Sequence, residues 1–463
     1  MKLPSAIPQV NVRLPGLGRR SAARDLVGLD IQPGFVAAVH ARVNGSILAE
    51  RAVAAPLPSD TMRDGEVIDE VALADTLRDL FRDSGLGRRV RVGVANQRTV
   101  LRTLELPPVT DSKELAAAVA FQAQDQVPMP LNNAVLDFHP LGVVDTPAGP
   151  RQRVVLVAAQ RDMVERLLSA VRSAGLTPEG VDLSAFALIR SLYRREPEQS
   201  GRVLYLNVDG LANLAIADGT VCRFTRVVGG GLEGMAIELA ERRGIALTEA
   251  RDLIAAVDLS QSARPEAKPA PAAAPAPAAA PAPAAAPVPA REPESKAQDT
   301  PEPAAEGKQA TGSQHAGDSQ PAADEPQDAS APPESGAAAG EEHDAAYDYE
   351  YETGQGYEPP GEELDGVDLD VRGVVENGIR DISGEVRNSL DFHRSQDGGG
   401  EVSHVVLSGA AEELPGFAEG LELALGVEVR SMSVGLVDER AQRSVSPHRL
   451  AIAAGLAAAE APQ

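Results

Sequence analysis

The sequence contains no tryptophan, and only 3% of its 463 residues are aromatic, so its hydrophobic cores must be built from Val, Leu, Ile and Ala. Its single cysteine, Cys222, excludes an internal disulfide bond and is consistent with a reducing compartment. No stretch reaches the roughly 18 apolar residues of a membrane-spanning helix. The N-terminal segment also lacks the apolar core of a signal peptide. These observations predict a protein without a membrane anchor of its own.

Basic residues are also scarce, with 43 Lys and Arg against 68 Asp and Glu and a formal net charge of -25. The excess of acid is local, because residues 261–370 contain 23 acidic and only 5 basic side chains. Such a charge balance argues against nucleic acid as the main ligand. The seven histidines form no HExxH motif or other ligand cluster, and no serine nucleophile motif is present.

Composition divides the chain into two globular blocks, a basic leader at residues 1–24 and a linker at residues 261–366. The linker begins with a Pro/Ala repeat and continues as an acidic segment with few aliphatic residues, which predicts disorder. Tyrosines among the acids near its end, such as Tyr349, are typical of a solvated linker, and a short recognition motif is the alternative. For the leader, weak attraction to anionic lipid is the alternative to plain disorder.

Both blocks alternate strand-like and helix-like segments, which predicts an α/β protein. Asn44-Gly45 marks a hairpin turn. Helices are expected over Val71–Ser84, after Asp111 or Ser112, after Asp162, and from Ile382 to Phe392.

Six segments carry a resemblance to a known family. The first block opens with Gly-Leu-Asp30-Ile-Gln-Pro-Gly34, and a similar strand ends in Leu-Asn207-Val-Asp-Gly210. RDGEVID, LRTLELP, FTRVVGGG and VVLSGAAEELPGF follow in the order found in the actin-like ATPase superfamily. Within it, the chain resembles the PilM family of type IV pilus assembly proteins, in the branch that also contains the division protein FtsA.

The resemblance implies an actin-like (ribonuclease H-like) fold of two halves with an inserted strand-helix-strand subdomain. The expected boundaries are residues 25–100 and 177–200 for the first half, 101–176 for the insertion, and 201–260 and 367–463 for the second half.

The resemblance also implies a site for ATP and magnesium. Its residues would be Asp30, Gly34, Asn207, Gly210, Gly230, Gly231 and Gly409, with Asp30 as the magnesium residue. Glycines are needed there because a side chain would block the approach of backbone amides to phosphate.

Several positions depart from the family pattern. Gln32 replaces the glycine of the first turn, Pro33 removes an amide donor, and Asp209 places an acid at the phosphate site. Arg251 and Ile254 stand where a Glu and a Lys hold the nucleoside in the family. The sequence therefore predicts a degenerate nucleotide site and no ATP hydrolysis.

The resemblance implies a scaffold at the cytoplasmic face of the inner membrane, peripheral to it. Its expected partners are the N-terminal cytoplasmic tail of a PilN-like membrane protein and other pilus assembly proteins. Alternative functions are an actin-like ATPase and an FtsA-like division protein.

Overall fold

The computed structural model describes residues 26–147, 149–195, 201–260, 363–396, 398–437 and 445–458. All of them belong to one compact unit. The predicted leader and nearly all of the predicted linker lie outside these residues. No helix in the described ranges is long and apolar enough to cross a membrane.

The described residues form strands and helices in alternation. The strands are β1 (Leu26–Gln32), β2 (Phe35–Val43), β3 (Ile47–Pro56), β4 (Met62–Arg63), β5 (Glu66–Val67), β6 (Arg89–Val94), β7 (Val100–Leu106), β8 (Ala134–Thr146), β9 (Gly149–Gln160), β10 (Thr177–Leu183), β11 (Arg202–Val208), β12 (Ala212–Asp218), β13 (Val221–Val228), β14 (Val402–Ser408), β15 (Val429–Ser431) and β16 (Gly435–Leu436). The helices are α1 (Glu70–Arg82), α2 (Ser112–Gln126), α3 (Arg161–Ser173), α4 (Ser184–Leu192), α5 (Gly231–Arg243), α6 (Leu247–Ala255), α7 (Glu363–Ser395), α8 (Phe417–Leu425) and α9 (Ala451–Ala457).

Two sheets share one strand order. The first is β10-β6-β1-β2-β3 with β16 added at its end, and the second is β15-β14-β11-β12-β13. In each, three antiparallel strands are followed by two parallel ones. This repeat, with helices on both faces of the first sheet, is the predicted two-half architecture.

Helix α9, the last helix in the described residues, packs against both halves. Side chains of α4 and α9, such as Leu188 and Ile452, form one core with Phe35 from the first sheet and with Tyr205 and Val406 from the second. Helices α1 and α3 cover the opposite face of the first sheet, and α5 to α8 cover the outer face of the second. The halves are therefore joined by a shared hydrophobic layer.

The inserted subdomain is a three-stranded sheet of order β7-β9-β8 with α2 packed on it. Asp111 begins α2, as predicted, because its carboxylate accepts hydrogen bonds from the backbone N–H groups of Lys113 and Glu114. Helix α3, however, packs its Met163 and Leu167 into the core of the first half. The insertion with its own core thus ends near residue 160, before the expected boundary at 176.

Two helix predictions need correction. Asp162 lies in the first turn of α3 and makes no cap hydrogen bond, because the helix already begins at Arg161. Helix α7 begins at Glu363, inside the predicted linker, and not at Ile382. Its early turns bury Val371, Val374 and Val375, so packing on the second sheet outweighs the low helix propensity of the glycines there.

Candidate functional site

Two backbone turns meet between the halves, each at the carboxyl end of a central strand. The β1–β2 turn contains Pro33 and Gly34, and the β11–β12 turn contains Asp209 and Gly210. They touch directly, since a Cβ atom on Gly210 would overlap the carbonyl oxygen of Pro33. Gly34 adopts a φ of 77°, in the left-handed region that favours glycine. The strand order of the fold is what brings these distant turns together.

The side chain of Gln32 fills the space between the two turns. Its Nε2 donates a hydrogen bond to Asp30 Oδ2 at 2.9 Å, and its Oε1 accepts one from the backbone N–H of Leu211 at 3.5 Å. Gln32 is 1% exposed, so this contact is sealed from solvent. A backbone donor of the second turn is thus already paired with a side chain of the first.

Asp30 and Asp209 are both buried between the turns. Burial raises the pKa of Asp30 to about 7, the hydrogen bond from Gln32 opposes the rise, and the neighbouring charge of Asp209 adds to it. Burial also raises the pKa of Asp209, against the nearby charge of Arg449. Asn207 Oδ1 is buried close by and accepts no hydrogen bond from the described residues. The centre of the site is therefore rich in acceptor oxygens.

Arg449 reaches this centre from the segment just before α9. Its Nε donates to Asp209 Oδ1 at 3.1 Å, and its guanidinium lies 3.6 Å from the centroid of the Phe35 ring. The N–H of Ala410 donates to the same Asp209 oxygen at 2.9 Å. The buried carboxylate is thus held by two segments of the second half, and Arg449 links it to Phe35 of the first half.

The predicted site residues converge on these turns. Gly231 packs on the backbone of Gly210, and Gly409 packs on the backbone of Val208 with a φ of 101°. Beside Gly34, Glu233 accepts a hydrogen bond from Arg251 Nε at 2.8 Å. For Asp30, the proposed metal residue, no cluster of three or more His, Cys, Asp or Glu suited to a metal occurs in the described part of the chain.

Gly230, the remaining predicted residue, lines a separate cavity of about 710 Å³. Its walls come from the β6–β7 loop with Asn96 and Gln97, from the end of β13, and from α5 and α7. Arg226 and Glu385 form an ion pair across it at 2.6 Å. The two turns do not line this cavity, so it lies beside the predicted nucleotide site and not within it.

A smaller, apolar pocket lies between the first half and the insertion. Its volume is about 40 Å³, on the order of three water positions, which suits one aliphatic side chain. The aliphatic lining consists of Val94, Val135, Ala159, Val157, Val164, Val181 and Leu183. Phe186 closes one end.

The strands beside this pocket are both at the ends of their sheets. Strand β10 is an end strand of the first-half sheet, and β8 is an end strand of the insertion. We call the space between them the edge-strand groove. No prediction from the sequence included the wall formed by β10. The alternation of buried residues in β10 is short and interrupted by Pro178 and Gly180, so it gave little signal.

Buried charged side chains connect β10 to helices α4 and α9. Asp182, 2% exposed at its side chain, forms an ion pair with Arg190 of α4. Arg190 Nε also donates to the carbonyl oxygen of Gly455 at 3.1 Å, and Arg91 donates to those of Leu456 and Ala458. The two arginines therefore satisfy carbonyl groups at the end of α9 that the helix itself leaves free.

Comparison with known proteins agrees with this architecture. Residues 28–204 match the family model described as type IV pilus assembly protein PilM. This part of the chain is therefore similar to PilM. A solved "PilM-PilN type IV pilus biogenesis complex" is similar over 94% of this chain and 97% of that chain, with 18% identity and a TM-score of 0.58. The predicted resemblance to PilM and the predicted actin-like fold are thus confirmed.

Two further solved structures show weaker similarity. Ethanolamine utilization protein EutJ from Carboxydothermus hydrogenoformans has 13% identity and a TM-score of 0.40, over 93% of this chain and 88% of that one. MreB 5 of Spiroplasma citri, bound to AMPPNP, has 9% identity and a TM-score of 0.40, over 93% of this chain and 94% of that one.

Proposed function

We propose that this PilM-like protein is an assembly scaffold of a type IV pilus machine. It binds the N-terminal cytoplasmic tail of a PilN-like membrane protein, which holds it at the inner face of the inner membrane together with other pilus assembly proteins. The match to the PilM family model and the similarity to a PilM-PilN complex support this role. They favour it over a division or ATPase function.

The observation that carries the proposal is the edge-strand groove. An end strand has unpaired N–H and C=O groups along one side, to which an extended peptide can add as a further strand. The pocket beside β10 accepts one apolar side chain of that peptide. Backbone pairing supplies affinity, whereas the pocket, lined by Val157 and Val181, supplies specificity.

The affinity required is modest. A micromolar dissociation constant corresponds to about -8 kcal/mol. A few buried aliphatic anchors and a row of backbone hydrogen bonds are sufficient for this. Because the membrane confines the partner to a surface, its local concentration there is high. The scaffold would then stay bound even when the cell contains little of the partner.

We further propose that ATP and magnesium are not cofactors of this chain and that it is not an enzyme. The residues between the turns do not suit a phosphate group, because Gln32 already occupies the Leu211 amide and Pro33 offers no donor. Asp209 and Asn207 would present acceptor oxygens to the phosphate oxygens. Near Gly34, the Glu233–Arg251 ion pair takes the space beside the turn.

The groove can be tested with one substitution and a matched control. Val157→Glu places a carboxylate in the half-buried wall of the pocket, whereas Val143→Glu makes the same change on the 56% exposed part of β8. The probe is a fluorescein-labelled peptide of the PilN-like protein's N-terminal tail, and fluorescence anisotropy gives its dissociation constant. We expect at least tenfold weaker binding for Val157→Glu and no change for Val143→Glu.

Both variants must unfold at the wild-type temperature, within a few degrees, for the comparison to hold. Equal binding by folded Val157→Glu would place the peptide elsewhere. Failure of the wild-type protein to bind the tail would refute the scaffold proposal itself.

A further inference from the structure

We propose that the outer edge of strand β13 and the cavity of about 710 Å³ beside it form a second peptide-binding site. Its occupant is an extended segment of a partner protein that carries one arginine or lysine side chain. The cavity shares no lining residue with the pocket of the edge-strand groove. This second site can therefore exist whether or not the groove binds a membrane protein's tail.

The cavity follows the edge of β13. Four consecutive residues of the strand, from Thr225 to Val228, line it, and no residue of β12 does. Successive residues of a strand project to opposite faces, so a cavity over one face would meet only every second residue. Strand β13 is an end strand, with β12 on its other side. The cavity therefore lies along the side of β13 that pairs with no strand in the described part of the chain.

An edge of this kind suits an extended peptide. Its N–H and C=O groups can form hydrogen bonds with a segment that adds as a further strand. The four lining residues of β13 are about 13 Å long, which matches a segment of about four residues. The cavity volume also falls within the range of about 300–1,000 Å³ that is typical of ligand sites.

The charges that face β13 favour a basic occupant. Helix α5 contributes Glu238 to the lining, and α7 contributes Asp381 and Glu385. Glu238 is paired with Arg242, and Glu385 is paired with Arg226 at 2.6 Å. Asp381 forms no ion pair with any residue that the structure describes. One carboxylate without a partner favours one cationic side chain in the bound segment.

Two unpaired polar groups lie at the inner end of the cavity. A pocket of about 20 Å³, roughly the space of one water molecule, continues the cavity there. The two share the lining residues Asn96, Thr99, Thr225, Arg226 and Val227.

The small pocket is also lined by Asn213, which is 2% exposed. Neither Asn213 Nδ2 nor Thr99 Oγ1 forms a hydrogen bond within the described residues. Buried polar atoms nearly always have a partner. These two groups therefore favour an occupant that supplies an acceptor oxygen, as the carbonyl group of a peptide does.

The first measurement compares three probes on the full-length protein. The fluorescein-labelled peptide Ser-Val-Arg-Val-Ser should bind about tenfold more tightly than Ser-Val-Glu-Val-Ser, because only the arginine donates hydrogen bonds to the Asp381 carboxylate. Fluorescence anisotropy gives both dissociation constants. Agmatine has a guanidinium group but no peptide backbone, so it should not displace the arginine peptide at equal concentration.

The second measurement tests strand pairing directly. A segment added to an edge forms backbone hydrogen bonds to that edge only through alternate residues. Two forms of the arginine peptide are therefore compared, one N-methylated at its odd-numbered residues and one at its even-numbered residues. One form should lose binding, and the other should bind as the unmodified peptide does.

Two pairs of variants test the cavity. Gly234 of α5 lines it, and no atom lies within 4 Å of the position its Cβ would take, so Gly234→Leu should fill the space. Gly373→Leu is the control, because Gly373 is also helical and free of close neighbours but lies outside the cavity. We expect about tenfold weaker binding of the arginine peptide for Gly234→Leu only. Asp381→Asn should remove the preference for arginine over glutamate, whereas Asp391→Asn, on the exposed side of α7, should retain it.

Hydrogen–deuterium exchange locates the bound peptide. Amides of residues 225–228 should exchange more slowly when the arginine peptide is present, and those of β10 should not change. Protection of β10 instead would mean that the peptide occupies the edge-strand groove and that the β13 site is wrong.

The remaining outcomes are equally decisive. Efficient displacement by agmatine, or equal binding of the two methylated peptides, would show a site for a small cation and overturn strand pairing. No binding at millimolar protein would overturn the second site altogether. Neither result bears on the edge-strand groove, whose own test uses the membrane protein's tail.

Discussion

Gln32 Nε2 donates a hydrogen bond to Asp30 Oδ2 at 2.9 Å, and both side chains are buried. A carboxyl group in such a position is costly to ionise, and burial raises the Asp30 pKa to about 7. The free energy of unfolding should therefore depend on pH through Asp30, which is buried between the two turns.

Asp30→Asn should stabilise the protein at neutral pH. The folded state keeps the proton up to about pH 7, whereas the unfolded chain loses it near 3.8, so Asp30 lowers stability progressively as pH rises between these values. The asparagine still accepts the Gln32 hydrogen bond and carries no charge. We expect a gain on the order of 1–3 kcal/mol at pH 8 and almost none at pH 4.

Urea unfolding of both proteins at pH 4, 6 and 8 measures this difference. Asp75→Asn, on the exposed side of α1, is the control and should show no such trend. A gain for Asp30→Asn that is the same at all three pH values would show that folding does not raise the pKa of Asp30.

Millimolar Mg-ATP should leave the melting temperature unchanged to within about 1 °C. Binding to the folded state at a hundredfold excess over the dissociation constant would add about 2.7 kcal/mol, which corresponds to several degrees. Gln32, Pro33 and Asp209 are the reasons to expect no such gain. Differential scanning fluorimetry with and without nucleotide makes the measurement. A rise of several degrees that disappears in Asp30→Ala would contradict the degenerate site.

The sequence predicted the parts of this fold that depend on local pattern. The two turn sequences and the Asp111 cap follow from residue type and spacing, and the structure has them where expected. Gly34 of the first turn adopts a φ of 77°, which few other residues tolerate.

Features that depend on distant contacts could not be read from the pattern. Gln32 and Leu211 are 179 positions apart, so their hydrogen bond follows only from the meeting of two sheets. The edge-strand groove likewise combines β8 and β10, which belong to different sheets. Helix α7 was predicted too short because its four glycines interrupt the spacing of the apolar residues that it buries.

Arg190→Ala should destabilise the protein by about 3 kcal/mol. The change removes the ion pair of the buried Asp182 and a donor to the Gly455 carbonyl. Arg89→Ala is the matched control, because the Arg89–Glu179 pair has side chains 43% and 37% exposed. Exposed pairs contribute under about 1 kcal/mol. Urea unfolding of both variants compares them, and similar losses would mean that the buried pair has no special role.

Gly455→Ala should be among the most damaging single substitutions in the described part of the chain. Gly455 lies in α9, and a Cβ there would overlap the backbone carbonyl oxygen of Ala187 in α4. Neither helix can move aside easily, because their contact is the layer shared by both halves. We expect a loss of several kcal/mol, or failure to fold.

Gly373→Ala provides the control for Gly455→Ala. Gly373 also lies within a helix, α7, but no atom is within 4 Å of the position its Cβ would take. Without a steric conflict, the alanine should raise stability by about 0.5–1 kcal/mol, because glycine is the poorer helix former. Urea unfolding of the two variants should therefore give changes of opposite sign. A gain for both would show that α4 and α9 separate readily, and the two halves would then be joined less firmly than their shared core implies.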